Sequence, residues 1–78
     1  IMVDDNFKDH LMRHCQVQNW PLPEYRVAAH HEGLFYIDIL INDGFCARGV
    51  AKSKKQAEQN AAQTYFQVKE ELKNYNFS

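Results

Sequence analysis

Arg48, Lys52, Lys54 and Lys55 are four of the chain's nine basic residues, and they fall within eight consecutive positions. No carboxylate occurs from Gly44 to Ala57, although acids outnumber bases over the whole chain by ten to nine. Side chains this alike repel one another unless an anion lies among them. The lysines flank the start of a long alanine-rich segment with helical periodicity. Cations in a first turn oppose the helix dipole, whose N-terminal end is already positive. A phosphate relieves that repulsion, because the unpaired N–H groups of a helix start also point at it. The pattern predicts polyanion binding at one place on an otherwise neutral surface. The plain alternative is a solvated surface cluster, which is what most charge runs are.

Other reactive groups form no comparable pattern. His10 and His14 are four apart, a spacing that lets two helix-borne imidazoles share a metal. Cys15, Cys46, His30 and His31 add donors, but Cys15 falls in an apolar stripe and no second pair has metal spacing. No metal and no cofactor are expected, and His10 and His14 are read as helix-surface residues. A Cys–His nucleophile lacks a third orienting group and an oxyanion loop. No catalytic residue is assigned, and this domain by itself is not expected to be an enzyme.

Seventy-eight residues make one small domain. A chain of that length buries a modest share of its surface. Its apolar and charged fractions are those of a globular domain. No apolar run approaches a membrane span, and Asp4 and Asp5 are unlike the start of a signal peptide. Two cysteines are too few for a disulfide framework, so reduced thiols and an intracellular location, nucleus or cytoplasm, are expected. A net charge of −1 means that any polyanion binding must come from local clustering.

The elements that must position the lysines follow from periodicity. Asp4 or Asp5 is expected to cap a first helix, in which Phe7, Leu11 and Cys15 recur on one face beside Met12. Trp20-Pro21-Leu22-Pro23 ends it near Gln18. Tyr25 to Ala29 alternates as a first strand, and His30-His31-Glu32-Gly33 reads as a loop. Leu34 to Ile41 is the clearest strand, with Phe35, Ile37, Ile39 and Ile41 on one face and Tyr36, Asp38 and Leu40 on the other. Asn42-Asp43-Gly44 turns the chain into a third strand, Phe45 to Val50. Ser53 and Gln56 read as a capping box. Ala57, Ala61, Tyr65, Val68 and Leu72, flanked by Ala62 and Phe66, then mark a second helix of about 30 Å. Its alanines imply close approach to the sheet. The order is α-β-β-β-α: an α+β fold with a three-stranded antiparallel sheet and two helices packed on one face. Residues 4–73 are taken as the domain, with 1–3 and 74–78 as flexible ends of an excised fragment.

In this order and spacing the chain resembles the double-stranded RNA-binding domain family. Pro23-Glu24-Tyr25, then Phe35 leading Ile37 and Ile39, then Gly49-Val50-Ala51-Lys52-Ser53-Lys54-Lys55-Gln56-Ala57 through Ala61-Ala62 occupy the places of the family's motifs, from about Asn6 to Leu72. The resemblance implies a non-catalytic module that binds double-stranded RNA by shape, largely without regard to sequence. Such domains span ~16 base pairs across two minor grooves and the intervening phosphates. It assigns phosphate contact to Lys54 and Lys55 with Lys52 before them, and one minor groove to the loop bearing His31. The other minor groove goes to the first helix, at Arg13 and Asn6.

Three positions depart from the family pattern. The loop's Gly-Pro pair is Ala28-Ala29, the third lysine is Glu58, and the first-helix glutamate is Arg13. A weakened binder is expected, part of a larger RNA-processing or RNA-remodelling protein. The rival expectation is a protein-interaction or dimerisation module, meeting its partner or a second copy through the sheet face at Tyr36 and Leu40 or through the third strand's edge.

Overall fold

The computed structural model describes residues 6–74. Asn6 caps the first helix, α1 (Phe7–Gln18), its side-chain oxygen accepting from the Asp9 N–H at 3.1 Å. Asparagine caps as well as aspartate, so the cap lies one residue beyond the expected Asp4 or Asp5, both outside the described residues. The helix stops where the prolines require. Asn19 turns left-handed (φ 65°). The Asn19 and Trp20 N–H groups donate back to Gln16 and Cys15 carbonyls, closing the helix end.

Three eight-residue strands follow, β1 (Glu24–His31), β2 (Leu34–Ile41) and β3 (Gly44–Ala51), antiparallel in the order β1-β2-β3. The first hairpin is tighter than expected. His30 and His31 are not loop residues but pair with Phe35 and Leu34, and the link is Glu32-Gly33 alone. Both link residues have positive φ, 52° and 79°, as a primed two-residue hairpin turn requires. The His30 imidazole stacks on the Phe35 ring at 3.9 Å, which helps carry the strand to the turn. Asn42 and Asp43 form a second turn with positive φ at both residues. The register shifts at Ala28 in β1 and at Cys46 in β3, where one strand has a residue more than its neighbour.

Helix α2 (Lys54–Asn74) lies across the face of the sheet that carries Ile37 and Ile39. Ala57, Ala61 and Ala62 are fully buried there, and small side chains are necessary. A methyl group on Gly49 would stand 2.7 Å from the Ala61 Cα and closer still to the Ala57 oxygen and the Ala61 nitrogen. Helix and strand backbones are therefore almost in contact. Leu11 and Cys15 of α1 complete the core with Ile39, Ala61 and Ala62. Burial pushes the Cys15 thiol up, Cys46 adding to the effect. Both cysteines are free.

The apolar stripe of α2 outruns the surface it packs on. Tyr65 and Phe66 are partly covered, but Val68 and Leu72, which continue the same helical spacing, are 43% and 65% exposed. His14 departs in the other direction. It is not a helix-surface residue but packs between the rings of Trp20, Tyr65 and Phe66, with centroids 5.3 to 6.1 Å away. Among the described residues, no helix is long and apolar enough to cross a membrane.

Candidate nucleic-acid interface

Lys52 lies in the bend between β3 and α2, and Lys54 and Lys55 are the first two residues of α2. Ser53 holds this start, its hydroxyl oxygen accepting from the Gln56 N–H at 3.1 Å. The expected capping box is only half made. The Gln56 side chain donates forward to Asn60 Oδ1 at 2.9 Å instead of reaching back to Ser53. Asn60 in turn donates to the Val50 carbonyl at 3.0 Å, tying the second turn of α2 to the end of β3. A helix start leaves several N–H groups without acceptors in the helix, and here no acid occupies the first turn. All three lysines are exposed, and among the described residues none pairs with a carboxylate.

The fourth base of the stretch is elsewhere. Arg48 sits opposite Asp38 on the sheet face away from the helices and donates to both its carboxylate oxygens, at 2.6 and 3.1 Å. Those hydrogen bonds hold the Asp38 carboxyl below the usual carboxylate range. A strand alternates its side chains between faces, so Arg48, the one base of the stretch that lies in β3, is directed to the face opposite the helices.

Glu58 was the acid expected to weaken the phosphate site. Its carboxylate accepts from the Lys8 ammonium of α1, a partner fifty residues away in sequence. Around that pair the two helices are joined again. The Lys8 N–H donates to Gln59 Oε1 at 3.2 Å, and Gln59 Nε2 donates to Asn6 Oδ1 at 3.0 Å. The helices run in the same sense, Lys8 meeting Glu58 and His14 meeting Tyr65 and Phe66. Their N-termini therefore share one end of the molecule. An open groove of about 500 Å³ lies between them, lined by Asn6, Ser53, Lys55, Gln56, Gln59 and Asn60.

The six residues assigned from sequence divide accordingly. Asn6 and Lys55 meet in the groove, with Lys54 and Lys52 beside it in the chain. Phe35 pairs with both His30 and Ala51, so the hairpin tip and the start of α2 lie at the same end of the sheet. At ~4.8 Å between strands, β1 and β3 there are about 10 Å apart. His31, exposed next to that tip, pairs with Glu32 at 3.5 Å. Arg13 pairs with Asp9 at 3.1 Å, about 10 Å along α1 from Asn6. Lys8, Gln59 and Asn60 escaped notice in the sequence. Their partners lie ten to fifty-three residues away, and no local pattern marks them.

Exposed lysines, the two helix starts and a hairpin tip thus gather at one end of this α+β unit. Residues 7–69 match the family described as "Double-stranded RNA binding motif", and the chain belongs to that family. A protein of Paramecium bursaria Chlorella virus 1 is 38% identical over 66 residues, covering 80% of this chain and 24% of that protein. Ribonuclease 3 of Chlorobium luteolum is 37% identical over 67 residues, with 81% and 24% covered. Ribonuclease 3 of Nitrosococcus oceani is 35% identical over 60 residues, with 70% and 26% covered. The chain thus spans about a quarter of the length of these relatives.

Proposed function

We propose that this chain binds double-stranded RNA by shape, with Lys52, Lys54 and Lys55 neutralising phosphates across the narrow major groove. Asn6 and Arg13 on α1 and His31 at the hairpin tip contact the flanking minor grooves. The observation that carries this reading is the exposed lysine triplet at the capped start of α2, with Glu58 drawn off to Lys8. Base edges are out of reach in A-form RNA's deep major groove, so recognition is largely blind to sequence. The domain acts as the binding arm of a larger RNA-processing protein, a reading supported by Ribonuclease 3 relatives about four times the length of the match.

A titration with duplex RNA, duplex DNA and an RNA–DNA hybrid at two salt concentrations tests this. RNA is expected to bind well above DNA, since the 2′-hydroxyl distinguishes them. Equal binding to RNA and DNA would count against shape recognition.

One observation favours a second reading, docking of a protein partner. On the sheet face without helices, Phe45 is 63% exposed beside Leu40, along the unpaired edge of β3. Concentration-dependent sedimentation without RNA, together with no duplex retardation at low salt, would favour that reading over RNA binding.

A further inference from the structure

We propose that Lys8 is a positioning residue for RNA binding: it holds Glu58 away from Lys54 and Lys55 and keeps both available to phosphate. This rests on the RNA-binding reading above.

Glu58 follows Lys54 by four residues and Lys55 by three, the separations at which side chains meet on a helix surface. With no other partner, its carboxylate would draw one of those ammonium groups down the helix and offset its charge. The structure gives Glu58 a different cation. Its Oε1 accepts from Lys8 Nζ, and the two side chains are 34% and 24% exposed. A largely covered pair is screened less by salt than an open one.

Lys8 is itself held in place from several sides. Its ammonium lies 4.8 Å from the Tyr25 ring centroid, within cation–π range. Its backbone N–H is bonded to Gln59, which is bonded in turn to the Asn6 cap. The first turn of α1 is thus fixed against the second turn of α2 at both neighbours of the ion pair. An ordinary surface pair has no such support and contributes little. Charge and geometry together make Lys8 the counterpart of the acid at position 58, so an acid one turn into α2 is compatible with a working phosphate site.

The test is a charge-exchange cycle on the whole chain, using Lys8→Met, which keeps the aliphatic stem, Glu58→Gln and the double variant. Binding to one duplex RNA is measured across a salt series, and thermal unfolding is followed in parallel. Lys8→Met should weaken binding ~3–10-fold and flatten the log–log salt slope by about one, as the loss of one phosphate contact would. The double variant should return to within about twofold of wild type, and Glu58→Gln alone should bind as well or better.

If Lys8 itself touched phosphate, the double variant would stay as weak as Lys8→Met. If the pair were only a staple between helices, Glu58→Gln alone would lower affinity and melting temperature together. Either result overturns the proposal. A wild-type chain that retards no duplex RNA at low salt would sink the underlying reading and the proposal with it. That result is seen before any variant is compared, so the two failures are distinct.

Discussion

Gly49 of β3 faces Ala61 of α2 so closely that a single methyl group on Gly49 would stand 2.7 Å from the Ala61 Cα. The obstructing atoms are backbone, so no side-chain rotation makes room. Gly49→Ala is expected to push the helix off the sheet and cost about 3 kcal/mol or more, at the upper end for overpacking. Urea unfolding checks this. A midpoint close to wild type would mean that the two backbones are less tightly apposed.

Tyr25 carries a buried hydroxyl that has no hydrogen-bond partner among the described residues. Burial, and then the negative charge of Glu58, push its ionisation up to about 12. The neutral phenol is the folded form, so this stabilisation is complete below the ordinary tyrosine value near ~10 and is lost as pH rises from there to about 12. Alkaline titration should show this tyrosine ionising together with unfolding.

Tyr25→Phe should be neutral or stabilising, by up to ~1 kcal/mol, because it removes an unsatisfied buried oxygen and keeps the ring. The Lys8 ammonium would still lie on an aromatic face. Chemical denaturation measures the change. A loss of more than ~1 kcal/mol would mean that the hydroxyl has a partner after all.

Arg48→Ala should leave RNA affinity and its salt dependence unchanged. Arg48 is engaged by Asp38 on the face opposite the helices. Its effect should appear instead in acid: the pair stabilises above the ordinary aspartate value near ~4, and that contribution fades as pH falls through the lowered Asp38 value. The variant should show a flatter acid limb in a pH–stability profile. A fall in RNA affinity would place Arg48 in the interface.

The architecture was legible because its signals are local. The β2 pattern gave its own limits, Leu34 to Ile41, and Trp20-Pro21 marked the end of α1. The alanines of α2 correctly implied close contact with the sheet, and Gly49 shows how close. Local signals misled where tertiary contacts decide. His30 and His31 looked like loop residues, but stacking on Phe35 and a two-residue turn keep them in β1. Gln56 had the capping-box spacing yet bonds to Asn60. For the site, the lysine cluster was visible, but the fate of its charges was not. Arg48 leaves it through strand alternation, and Glu58 is claimed by a lysine fifty residues away.

Salt dependence of the Lys54→Ala, Lys55→Ala double variant tests the central claim most directly. With ~3–5 phosphates neutralised, the wild-type log–log slope should be about −3 to −4. The double variant should bind all duplex RNAs more weakly, by similar factors whatever their sequence, with a slope shallower by about two. An affinity and slope equal to wild type would contradict the assignment of these lysines to phosphate.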